Sequence, residues 1–178
     1  ISVPSRRHWL WAAAALAAAP LVRAQAFDPS HATWTALLKK HVVLLRGGQE
    51  SQLRYAGVAA ERAALKAYLD MLSGVSAAAF EGFGKAQQMA FLINAYNAFT
   101  VELVLTRYPK LVSIKDLGSL LSSPWKPKWV PLFGEKLSLD DIEHEMLRKR
   151  GRFDDPRVHF AVNCASIPET LLESELFG

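Results

Sequence analysis

Three side chains in the last third of the chain have the types from which nucleophilic catalysis is built: the adjacent Glu143 and His144, and the single cysteine, Cys164. A thiol becomes a useful nucleophile when an imidazole takes its proton and a carboxylate or amide orients that imidazole. Cys164 and His144 are therefore the expected nucleophile and base of an acyl-transfer site, with Glu143 or an asparagine as orienter. Lowering a thiol pKa from about 8.5 by two units requires roughly 2.7 kcal/mol of thiolate stabilisation, which a neighbouring imidazolium or helix N-terminus can supply. The same residues are competent metal ligands, but no H-E-x-x-H or C-x-x-C spacing is present, so no metal and no cofactor is expected.

These residues must be held by two elements. Ser138, with Asp141 three positions later, has the spacing of a capping box and predicts a helix over LDDIEHEMLR. Turned at 100° per residue, that helix has an apolar stripe of Ile142, Met146, Leu139 and Leu147 with Glu143 inside it, and His144 at its border beside Asp140. A carboxylate on a core-facing stripe is either paired, with Arg148 or Arg157 as the available cations, or functional. Further on, Val158, Phe160, Val162 and Cys164 alternate with His159, Ala161 and Asn163, which predicts a half-buried strand ending at the thiol, with His159 on its opposite face.

Upstream, apolar positions at Trp34, Leu37, Leu38, His41 and Leu45 predict a helix that Gly47 and Gly48 stop. A second helix is expected over about 59–72, with Leu65, Tyr68, Leu69 and Leu72 on one face and Gly74 at its end. A third, roughly 85–107, is apolar nearly all round and reads as the buried central helix, ended by Pro109. Asn94 and Asn97 lie on one side of it, where a buried amide without a partner would cost about 1–3 kcal/mol. They are expected either to tie down a neighbouring segment or to contact a ligand. The stretch SSPWKPKWVPLFGEK reads as an ordered loop followed by a short hairpin turning at Gly134-Glu135, with Pro131 excluding a central strand. Trp125 and Trp129 either line a cleft or cap the core beneath that loop.

The first 26 residues have the build of a signal peptide: Arg6-Arg7, an apolar run from Trp9 to Val22, and an A-x-A site at Ala24–Ala26. The run falls short of the roughly 20 residues a spanning helix needs. SRRHWL also resembles a twin-arginine signal. These features predict a periplasmic or secreted protein with a mature domain at 27–178 and no stable membrane span. The segment carries Arg6, Arg7 and Arg23, so a net charge of +4 becomes +1 after its removal. No basic stripe suited to nucleic acid remains. A lone cysteine allows no intrachain disulfide, so stability rests on packing. The composition predicts one α+β domain, mainly helical, with a small sheet in the C-terminal third.

The segments AFLINAYNAFTVELVLTRYP, SIKDL, LSLDDIEHEMLR and DDPRVHFAVNCAS, in that order, resemble the successive motifs of the family called domain of unknown function 547. The resemblance covers about Tyr55 to Ser166 and implies that Asn94 to Asn97, Glu143, His144, His159 and Cys164 are motif positions. It brings no established activity. The family pattern continues from CAS into a second cysteine followed by proline and then a further region, whereas this sequence reads IPETLLESELFG, so the resemblance implies a chain shortened at its C-terminal end. The expected activity is that of a thiol-dependent hydrolase or acyl transferase. The alternative is a non-enzymatic periplasmic domain that binds a small molecule or peptide, with Glu143, His144 and the asparagines as a structural network.

Overall fold

A computed structural model describes residues 27–149, apart from 49, 112 and 119–122. The chain folds as an α+β domain in which helices dominate and two antiparallel hairpins are appended. His159, Cys164 and the strand expected to end there, together with the expected signal segment at 1–26, lie outside the described residues.

Helix α1 spans Ala32–His41 and ends where the expected helix was to continue. Val42–Leu45 is instead strand β1, paired antiparallel with β2 (Glu50–Leu53) in the register Val42↔Leu53 to Leu45↔Glu50. The helical reading of Leu45 fails because tandem valines favour extended backbone. Arg46, Gly47 and Gly48 then take positive φ and turn the chain back on itself, with two of the three free of a Cβ penalty. Leu53 and Leu44 share one face of this ribbon, and cover falls off along it: Leu53, opposite Val42 at the base, is buried, while Leu44, nearer the turn, is exposed.

Where one helix was expected over 59–72, the chain forms two, α2 (Tyr55–Ala60) and α3 (Arg62–Ser73), separated at Glu61. Helix α3 buries Leu65, Tyr68, Leu69 and Leu72 as the spacing requires, and its end is closed by the Gly74 N–H donating to the Asp70 carbonyl at 3.0 Å. A short α4 (Ala77–Glu81), capped by Ser76, leads to α5 (Lys85–Leu105). The Gln88 amide fastens these two helices by donating to the Phe80 carbonyl at 3.1 Å.

Helix α5 packs against α3 and is the centre of the core. Phe91, Leu92, Ala95, Ala98 and Val101 are fully covered, but Met89, Ala90, Ile93, Asn94 and Asn97 form a half-buried stripe. The helix is thus less uniformly buried than its composition predicts.

Strands β3 (Val130–Leu132) and β4 (Glu135–Leu137) form the expected hairpin, turning at Phe133-Gly134 rather than one residue later. Both turn residues have positive φ (58° and 82°), the type I′ pattern that matches strand twist. Phenylalanine is a poor choice for that backbone region, and its ring compensates by packing on Phe80 and Phe91, with centroids at 4.7 and 5.7 Å. Pro131 is tolerated because the ribbon has only two strands and the residue faces outward.

The capping box forms as the spacing requires: the Asp141 N–H donates to Ser138 Oγ and the Ser138 N–H to the Asp141 carboxylate, both at 2.9 Å. That carboxylate is held below its ordinary pKa of 3.8 chiefly by the Ser138 backbone N–H. A folded pKa that is depressed gives stability that is present above the ordinary value and lost as pH falls through the folded one. Asp141→Ala should therefore cost about 1 kcal/mol at neutral pH, and its deficit against the wild type should shrink below about pH 4. Urea melts across that range check this; a deficit that does not vary with pH would contradict it.

Candidate functional site

The helix begun by this box is the element that carries Glu143 and His144, and it is wound differently from the expected α-helix. Asp141–Leu147 is a π-helix, closed by the Arg148 N–H donating to the Glu143 carbonyl at 2.9 Å, an i to i+5 bond. The wider turn aligns positions five apart. Ile142 and Leu147 are both buried, and the Glu143 carboxylate meets the Arg148 guanidinium at 2.7 Å. Glu143 is only 17% exposed, so its place near the core is explained by this ion pair. Arg148 is thus the partner between the two cations weighed from sequence.

His144 points outward, with about half of its side chain exposed. Its Nε2 lies 3.7 Å from Asp140 Oδ1, one turn earlier. That distance is beyond a direct hydrogen bond, yet close enough for a small rotation, or a bridging water, to link the two groups.

Trp125 is drawn into the same neighbourhood. Its ring stacks on Tyr96 of α5 with centroids 6.5 Å apart, and its carbonyl accepts from the Asp140 N–H at 3.1 Å. A chain of contacts thus runs from α5 through Tyr96 and Trp125 to Asp140 and His144. Trp129 sits apart from this chain, edge-on to Phe99 at 5.7 Å, with its N–H donating from the backbone to Leu137 at 3.1 Å. Its indole Nε1 is buried without a hydrogen-bond partner among the described residues. Asn94 and Asn97 lie on the half-buried stripe of α5, and neither amide is hydrogen-bonded among the described residues. Their partial exposure lets solvent satisfy them, which removes the cost anticipated for fully buried amides. His159 and Cys164 lie outside the described residues.

Two histidines with specific tertiary partners were not singled out from sequence. His31 is buried, with Nδ1 2.6 Å from the Tyr68 hydroxyl. Burial lowers its pKa and raises that of Tyr68, so both groups stay neutral near pH 7. His41, assigned from its spacing to an apolar stripe, donates from Nε2 to Glu61 at 3.0 Å. Local spacing holds no signal for either pair, because the partners are 37 and 20 residues apart. Among the described residues, no cluster of three or more His, Cys, Asp or Glu side chains is arranged to hold a metal, and no helix is long and apolar enough to cross a membrane.

The fold and this helix-borne polar strip define a mainly helical α+β domain in which α5 packs against the π-helix. The chain belongs to the family described as "Protein of unknown function, DUF547", whose family model matches residues 80–174. Neither a curated protein nor a solved structure matches it.

Proposed function

We propose that this is an exported thiol-dependent hydrolase or acyl transferase in which Cys164 is the nucleophile and His144 the base. In the proposed reaction the Cys164 thiolate attacks the carbonyl of an amide or ester. His144 accepts the thiol proton and returns it to the departing amine or alcohol. The resulting thioester is then cleaved by water or by a second acceptor. Asp140 is the orienter best placed for this role, since Glu143 is committed to Arg148. The observation that carries the reading is the exposed His144 ring with the Asp140 carboxylate 3.7 Å away, on a π-helix, an element often found at functional sites. Export is supported by the basic, apolar and A-x-A order of residues 1–26.

The Glu143–Arg148 ion pair and the Tyr96–Trp125 stack favour a second reading, a periplasmic domain that binds a small molecule or peptide without turning it over. There Glu143 is structural, and Trp125, Trp129, Asn94, Asn97 and His159 supply the contacts.

The pH dependence of Cys164 alkylation by iodoacetamide, measured beside His144→Ala, separates the two. Catalysis requires a thiol titrating well below the ordinary value of about 8.5, with the shift abolished in the variant. A thiol that reacts only after denaturation, or a profile that His144→Ala leaves unchanged, rejects the Cys-His pair and favours the binding reading.

A further inference from the structure

A second concave site lies away from the π-helix, where the end of α1, strand β2 and the start of α2 meet the loop after α5. It is an open groove of about 680 Å³, within the size range of small-molecule sites. Apart from Tyr108, the residues that line it precede the segment matched by the family.

Its chemistry is one-sided. Lys40, His41 and Arg54 line the groove, and none of its lining residues is acidic. The nearest engaged carboxylate, Glu61, is shared between Lys40 Nζ at 2.8 Å and His41 Nε2 at 3.0 Å, and these two bonds hold its pKa below the usual carboxylate value. Arg54 has no such partner among the described residues. Among the described residues its guanidinium makes one long bond, to the Lys40 carbonyl at 3.4 Å, which leaves the planar fork available to an oxyanion.

The apolar part of the groove is aromatic. The Tyr55 and Tyr108 rings stack with centroids 6.4 Å apart, and Tyr108 is 38% exposed, one of only two large hydrophobic side chains that open to this degree among the described residues. Buried Tyr55 props the exposed ring, so its free face is presented rather than collapsed. Gly57 completes the wall: a Cβ there would collide with His41 Nδ1, and only glycine lets the imidazole lie against α2 with Glu61 orienting it.

We propose that this groove binds a small organic anion carrying a planar apolar group, an aryl carboxylate or aryl phosphate, with the oxyanion on Arg54 and the ring stacked on Tyr108. The proposal is independent of the Cys164 chemistry and stands whether or not that reaction occurs.

The test is a titration of the full 178-residue chain with phenyl phosphate, benzoate, inorganic phosphate and neutral benzyl alcohol, followed through the backbone amide resonances of residues 52–57 and 108. Saturable shifts with either aryl anion, stronger than with benzyl alcohol, are expected, and whichever aryl anion binds tighter identifies the oxyanion. Arg54→Gln should weaken that binding about tenfold or more, the loss of a charge-assisted fork. Tyr108→Ala should weaken the aryl anions while leaving inorganic phosphate unchanged. Both side chains are on the surface, and unchanged thermal midpoints would show that the variants fold. No saturable binding of either aryl anion up to about 10 mM, or binding that Arg54→Gln leaves intact, would overturn the proposal.

Discussion

Phe91→Ala is expected to remove about 4 kcal/mol of folding stability, the middle of the range for a buried aromatic replaced by a methyl group. Phe91 is fully buried and sits at the meeting point of four other rings. Its centroid lies 5.2 Å from Phe27, 5.4 Å from Phe80, 5.7 Å from Phe133 and 6.3 Å from Phe83. Those rings come from the segment before α1, from α4 and the turn after it, and from the β3–β4 hairpin, so truncation opens a cavity bordered by three separate parts of the chain. The neighbours cannot collapse into it together, because each is fixed by its own element. Edge-on and tilted ring pairs add about 0.5–1.5 kcal/mol each beyond area burial, which keeps the estimate above the lower end. Equilibrium urea unfolding measures the change directly, and a loss below about 2 kcal/mol would show that the cluster relaxes around the void.

The second large effect is expected at Arg62. Its guanidinium reaches across from α3 to Glu102 of α5 and donates twice, Nη2 to Oε1 at 2.6 Å and Nε to Oε2 at 3.1 Å. Glu102 is 11% exposed while Arg62 is 36% exposed, so the asymmetry decides the outcome. Arg62→Ala leaves a carboxylate in the core with no cation and should cost about 2–3 kcal/mol, less than a fully buried pair because water reaches the vacated side. Arg62→Met combined with Glu102→Leu should recover most of that loss, since an apolar pair carries no desolvation penalty. A double-mutant cycle gives the coupling; additive losses would mean that the two side chains act independently.

Much of the helical scaffold was legible because its signals are local. The face of α3 follows from Leu65, Tyr68, Leu69 and Leu72 at helical spacing, the length of α5 from a mostly apolar segment ended by Pro109, and the Ser138–Asp141 box from two residues three apart. Each depends on neighbours in sequence, where a short-range pattern carries the physical cause. The β1–β2 hairpin was missed for the opposite reason. Leu45 fits the helical stripe of Trp34, Leu38 and His41, and the extended preference of Val42 and Val43 is realised only once Glu50 to Leu53 return to pair with the segment. The π-winding of 141–147 was also hidden, since one sequence presents Glu143 to the core at α spacing and to Arg148 at i+5, and packing of Ile142 and Leu147 selects the wider turn.

The candidate site divides the same way. Residue types alone identified Glu143 and His144, and the capping spacing placed them on one helix. Only the tertiary fold determined that Glu143 is tied to Arg148 while His144 stands open beside Asp140, or that Trp125 joins them through a backbone bond. His41, Glu61 and Gly57 form a contact that no spacing rule reaches, because the loop and hairpin between them set their distance. By itself the sequence determined the side-chain types present and the helix that carries Glu143 and His144, since both follow from local backbone preference and residue identity. Which of those groups are paired, and which remain free to act, was decided by three-dimensional packing, because a charge is satisfied by whatever the fold brings within about 4 Å, whether on the next turn, as Arg148 is for Glu143, or on another helix, as Glu102 is for Arg62.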